Sequence, residues 1–428
     1  MAPVENTTAA LGIGNVDSWL TPKRLRMHAL LLGTALWSIY IWTLATPGLR
    51  DRNGNLKGTD FLHFYTLGLL ADAHHGTDLY SVSAQSALAS ARVQGATGIR
   101  YLPLYPPQVS VLFGPLARLS YGQALAVWWI ITAGAYFGCC RLIWQSCGNL
   151  RKHRTTTILA ALAFPAFFNL IAWGQTSALA LACFTVLFFA LKNRHDFLTG
   201  LVLGCLIFKP QLGLAAAVVF LAIGAWKIVL GAILSASVQL GIGILYYGME
   251  PLRQWVRILM NAPALSNWLE PRPYQTHSLR TFWSMIAPWS SVSVVLYGIT
   301  GVLVLSATIS LWRRGSEVML PVRYSALLFA TVLVAPHLTV YDLVILAPAF
   351  LLLADWLIQQ GSVRSGIGTL LYLAYILPLL APLTRWMHVQ LSVIAMAGLL
   401  YTLWRISRTK GTPPGTSART QASEATTL

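Results

Sequence analysis

The chain has 428 residues, 56% of them hydrophobic and only 10% charged, with a formal net charge of +17. A soluble domain carries about 25% charged residues, so the composition excludes a soluble globular protein and indicates an all-α polytopic membrane protein. The positive charge does not indicate nucleic-acid binding, because the basic residues fall in short clusters between apolar segments, the positive-inside pattern.

Residues 1–20 are polar and mixed, no cleavable signal peptide is expected, and the first apolar run follows Lys23, Arg24 and Arg26, so that residues 1–26 form one N-terminal segment. They are expected to form a cytosolic segment ahead of a retained signal anchor. Apolar length and the Lys/Arg clusters then lay out a transmembrane domain over residues 27–406. Residues 27–46 run outward, and 121–144 return to Arg151-Lys152-His153-Arg154. Residues 156–172 lead out to Trp173-Gly174-Gln175, and 176–191 return to Lys192-Asn193-Arg194. Residues 197–208 go partway out, 212–225 return to Lys227, 228–247 go out, and 291–312 return to Arg313-Arg314. Residues 321–335, 340–358, 366–383 and 388–405 complete about twelve spans with both termini inside. Residues 407–428, rich in Thr, Ser, Gly and Pro, are expected to be a disordered cytosolic tail.

Two outward loops remain, at about 47–120 and about 248–290. In the first, residues 60–73 and 108–118 are expected as short helices lying on the outer surface, the second opened by Tyr105-Pro106-Pro107. The other loop carries Trp255 and Trp268 and an expected interfacial helix near 251–262. The five cysteines at positions 139, 140, 147, 183 and 205 have neither zinc spacing nor an even disulfide framework.

Lys209-Pro210-Gln211 comes only about 13 residues after Asp196, a rise of roughly 20 Å against the roughly 30 Å of a bilayer core. Lys209 is therefore expected at membrane depth, where a bare ammonium costs at least ~3 kcal/mol. It either snorkels from a displaced helix end or serves something anionic. The stretch from Arg323 to Pro336-His337 repeats the spacing, so His337 is either a packed core residue or a second cation at similar depth. Tyr341 shares its face if a returning helix has begun, and Asp342 either complements that helix dipole or acts chemically. Gln175 marks a third outward tip. His277-Ser278-Leu279-Arg280 opens the segment after the second loop, and a guanidinium fork such as that of Arg280 fits phosphate.

Of the 13 acidic residues, Asp51, Asp60, Asp72, Asp78, Glu250, Glu270 and Asp342 fall outward. Asp60 heads the aromatic segment Phe61, Phe64, Tyr65 and is either a general base or a helix N-cap. Asp72 with His74 and His75 reads equally as a solvated face. Cations in the outer half of the membrane below an outward carboxylate suit a transferase that takes a sugar from a lipid phosphate. The cations hold the departing phosphate and the carboxylate deprotonates the attacking hydroxyl. A lipid or small-molecule transporter or flippase is the alternative, and it predicts charges spread along a two-sided pathway.

The order of Asp60-Phe61, Leu79-Tyr80, Tyr105-Pro106-Pro107, Gly174-Gln175, Lys209-Pro210-Gln211 and Pro336-His337 with Tyr341-Asp342 resembles glycosyltransferase family 87 over roughly residues 55–360. These are polyprenyl-phosphate-mannose-dependent α-mannosyltransferases of the C-type glycosyltransferase superfamily. The resemblance implies a multi-spanning C-type fold in the cytoplasmic membrane, with an outward active site and inverting transfer. The implied donor is a polyprenyl-phosphate sugar, the acceptor a lipid or glycan, and no cofactor or metal is expected. It implies Asp60 as general base. Lys209, His337 and Arg280 then contact the donor phosphate, and Gln175, Gln211, Tyr105, His277 and Tyr341 contact substrate.

Overall fold

The computed structural model describes residues 19–261, 272–287, 289–360 and 366–409. Trp268, Glu270, most of the N-terminal segment and almost all of the expected tail lie outside the described residues. A chain in lipid must satisfy its backbone within each segment, and apolar helices do so. Among the described residues the only β pairings are two isolated bridges, Arg50 with Leu56 and Thr276 with Thr339.

Helix α1 (Pro22–Leu44) starts where the Thr21 hydroxyl accepts from the Arg24 N–H and Pro22 occupies the first turn. The segment between α1 and the next long helix holds α2 (Phe61–Asp72), α3 (Val82–Arg92) and α4 (Gln108–Ala117). Then come α5 (Tyr121–Gln145), α6 (Arg154–Leu162), α7 (Pro165–Trp173) and α8 (Ser177–Lys192). Helices α9 (Asp196–Gly204), α10 (Pro210–Ala222), α11 (Trp226–Tyr247) and α12 (Glu250–Asn261) follow. The chain continues with α13 (Leu279–Ile286), α14 (Ser290–Arg313), α15 (Leu320–Val334), α16 (Ala347–Gln360), α17 (Ile367–Ile376) and α18 (Leu391–Thr409).

All twelve expected segments are occupied by helix. Among the described residues six helices are long and apolar enough to cross a membrane, or seven if the pair Leu150–Leu162 and Pro165–Trp173, bent by 42°, forms one span. The protein is a multi-pass helical membrane protein. Helix α15 is its central post, with every residue from Tyr324 to Val334 buried, as expected of a helix apolar on all sides. Helix α1 is the opposite case. It buries only Ala29 and Gly33 and turns Leu31, Ile39 and Ile41 outward, a face suited to lipid.

Helix α2 differs from expectation. It is a buried helix packed on α4 rather than a surface one, because FLHFYTLGLLA offers no polar face to water. Helix α3 was not foreseen, its mixed polar composition giving no strong apolar period. The fold brings five pieces of chain to one place. These are the start of α2, the junction of α7 and α8, the break before α10, the turn at residues 340–346, and the loop holding Tyr105.

Candidate active site

Helix α7 ends because Gly174 takes φ +71°, and its N–H and that of Gln175 close back on Leu170 and Ile171 carbonyls. A Cβ at Gly174 would lie 2.7 Å from the Phe61 Cβ, so the start of α2 approaches this turn as only glycine allows. The Asp60 N–H donates to the Trp173 carbonyl at 3.0 Å, and the Trp128 indole N–H to that of Gly174 at 3.0 Å. This locks Asp60 against Gln175.

Gln175 is buried and fully satisfied. Its Nε2 donates to Asp60 Oδ2 at 2.7 Å and to the Tyr341 hydroxyl at 3.2 Å. Its Oε1 accepts from the Tyr105 hydroxyl and from the Thr176 backbone N–H, both at 3.3 Å. A backbone N–H only donates, which fixes the amide orientation.

Asp60 is half-buried and itself helical (φ −72°, ψ −24°), with no side-chain capping bond, so the N-cap reading fails. Its Oδ1 has no hydrogen-bond partner among the described residues and is not enclosed, so it can meet a substrate hydroxyl. Withdrawal from water raises the carboxyl from its ordinary 3.8 to about 6. The Gln175 hydrogen bond and the Lys209 charge pull it down by less, and the Asp342 charge adds to the rise.

Lys209 falls outside both flanking helices because Pro210 disfavours a helical residue before it, and its backbone opens to φ −136°, ψ 71°. The expected bare ammonium is a correction. Lys209 Nζ is 2.8 Å from Asp342 Oδ1 and donates to Ser177 Oγ at 2.9 Å, with both charged side chains almost wholly buried. Asp342 Oδ1 also accepts from Ser177 Oγ at 2.5 Å, and its Oδ2 accepts from the Thr339 N–H and hydroxyl at 3.2 Å. Asp342 thus combines the expected helix-end role with an ion pair the sequence did not reveal. The ammonium also lies 5.3 Å from the Tyr341 ring centroid, so the pair and the Asp60–Gln175 unit meet at Tyr341.

A second cluster shares the same backbone. Thr276 bridges Thr339, the His277 N–H donates to the Leu338 carbonyl at 3.2 Å, and Arg280 Nη1 donates to the Pro336 carbonyl at 2.9 Å. Arg280 and His337, both half-buried, therefore share a rim joined through Thr339 to Asp342. His277 is fully enclosed, with its Nδ1 2.8 Å from Ser392 Oγ, and burial pushes it down to about 3, so it is neutral. Gln211, half-buried in the first turn of α10, is not among the network's hydrogen-bonding groups.

The structure joins Asp60, Gln175, Tyr105, Tyr341 and Lys209 in one network, with Arg280 and His337 beside it. Ser177 and Thr339 were not foreseen. The one available signal for Ser177 was its place in the first turn after the Trp-Gly-Gln tip. Among the described residues no cluster of His, Cys, Asp or Glu has the arrangement of a metal site.

Residues 104–336, more than half of the chain, match the model of glycosyltransferase family 87. The chain belongs to this family. No curated protein and no solved structure matches it. This family 87 member is a membrane glycosyltransferase. Tyr105, Gln175, Lys209, Gln211, His277 and Arg280 lie inside the matched segment, whereas Asp60, His337 and Tyr341 lie outside it and stand on geometry.

Proposed function

We propose that the protein transfers a hexose, mannose favoured, from a polyprenyl-phosphate donor to a lipid or glycan acceptor at the outer face of the cytoplasmic membrane. Asp60 carries this reading. It is a half-buried carboxylate with one oxygen held by Gln175, the other open, and a proton affinity raised to about 6. That value suits a base that must be ionised near neutral pH yet still accept a proton.

In the proposed step the acceptor hydroxyl forms its bond to the anomeric carbon and gives its proton to Asp60 Oδ1. The bond from that carbon to the donor phosphate oxygen breaks on the opposite side, and its electron pair leaves with the polyprenyl phosphate, inverting the centre. Arg280 and His337 on the rim receive the charge developing on that phosphate. Tyr105, Gln175 and Tyr341 line the sugar. Lys209 acts as a positioning residue, since Asp342 already matches its charge and both are buried. Gln211 and His277 take no direct part. About twelve crossings in a C-type arrangement, with the basic helix ends in the cytosol, complete the proposal.

The test is full-length protein in nanodiscs given polyprenyl-phosphate [³H]mannose and a lipid extract. A labelled product formed by the parent and lost in Asp60→Asn supports the reading. Transfer from nucleotide sugars but from no lipid-linked hexose contradicts it.

A further inference from the structure

A separate cavity of about 540 Å³, lined by none of the residues of the Asp60 network, is walled by α1, α5, α6, α16 and α17. The segment Val340–Gln360 carries Asp342 at the candidate site and, from Ala347 to Ile358, one wall of this cavity. Its interior is apolar, with Phe164, Phe350 and Leu371 among the lining, and its size lies within the roughly 300–1,000 Å³ typical of ligand pockets. Helices of membrane-crossing length form much of its wall, so what meets it laterally is acyl chain, not water.

Basic residues adjoin part of the lining in the chain. Lining residues Pro22, Leu25, Leu150 and His153 are each followed or flanked in the chain by exposed basic residues: Lys23, Arg24, Arg26, Arg151, Lys152 and Arg154. Among the described residues no carboxylate lines the cavity. Nearby Asp355 is committed, accepting from the Asn149 and Leu150 N–H groups at 2.7 Å each. The Tyr372 hydroxyl and His28 Nδ1, 3.2 Å apart, join α17 to α1 at the same place.

We propose that this cavity binds one anionic phospholipid from the leaflet at the basic end, acyl chain inside and phosphate among the Lys/Arg residues beside the lining. An apolar cleft between membrane helices, with exposed basic residues beside its lining, is the arrangement that selects anionic headgroups. The site is independent of the Asp60 network and needs none of its residues.

The test presents purified full-length protein with equimolar palmitoyl-oleoyl phosphatidylglycerol and phosphatidylcholine in mixed micelles, and reads retained lipid by native mass spectrometry. Phosphatidylglycerol should be retained in preference, by about tenfold or more. Lys23→Gln with Arg154→Gln, both at exposed positions, should remove most of that preference, since each basic residue near anionic lipid contributes about a fivefold factor, or about 25-fold for the two. Ala160→Phe, which fills the cavity, should abolish retention. Equal retention of both lipids, retention of neither, or an unchanged preference in the charge variant would overturn the proposal, whether or not Ala160→Phe folds.

Discussion

Gln175 holds Asp60 with a single N–H: its Nε2 lies 2.7 Å from Asp60 Oδ2, while its Oε1 faces the Thr176 backbone N–H and cannot exchange places with it. The carboxylate is thereby steadied on one oxygen and left open on the other. The same hydrogen bond favours the ionised form and restrains a rise that burial imposes.

Gln175→Glu should therefore disturb the proton affinity of Asp60 before it disturbs the fold. A second carboxylate in place of the amide removes the donor and adds a like charge, both of which raise Asp60. The acid limb of kcat/KM, expected near pH 6 in the parent, should move up by about one unit or more. A limb that stays in place in this variant would show that Asp60 does not set it.

Lys209→Met reverses the expectation that a lone membrane lysine invites. Removing it leaves the Asp342 carboxylate buried with its hydroxyl and N–H partners but no cation. Breaking a buried pair costs about 3–5 kcal/mol, so the melting temperature should fall rather than rise. Lys209→Met combined with Asp342→Leu should recover much of that loss. Equal stability of the single variant and the parent would mean the pair does not form.

Gly174→Ala should destabilise by about 1–2 kcal/mol from the left-handed backbone alone, with crowding against Phe61 added. Gly134→Ala, in the exposed part of α5 with no neighbour within 4 Å, is the control and should be neutral or stabilising. Similar melting temperatures for the two variants would remove Gly174 from the account of how Asp60 is placed.

Topology is checked by impermeant maleimide in intact cells. Asn53→Cys, exposed in the first loop, should label directly, and Lys152→Cys only after permeabilisation, each above the parent's background. The reverse pattern would put the Asp60 side in the cytosol.

The helices were legible because apolar length and proline position act locally. The expected helices at 60–73, 108–118 and 251–262 appear as Phe61–Asp72, Gln108–Ala117 and Glu250–Asn261. The break at Lys209 was legible for the same reason, since proline acts on the residue before it. The partner of Lys209 was not, because Asp342 lies 133 positions away and a helix-end carboxylate looks the same from sequence with or without a cation opposite it. The burial of α2 was missed because a short apolar helix reads alike against a membrane surface or a protein core. His277 shows the converse: placed after a loop and expected at the substrate, it is fully enclosed.

The most direct measurement is transfer from a polyprenyl-phosphate hexose by Asp60→Asn beside the parent across pH. Asparagine keeps the acceptor for Gln175 but takes no proton. Asp60 is raised in the folded state, so its stabilising contribution is full below its ordinary 3.8 and lost as pH rises through about 6. The variant should accordingly be at least as stable as the parent at pH 7 and above, which separates lost chemistry from lost fold. The account predicts turnover reduced by about 10² or more, with the acid limb near pH 6 gone. Near-parental turnover by Asp60→Asn, with the limb intact, would contradict it.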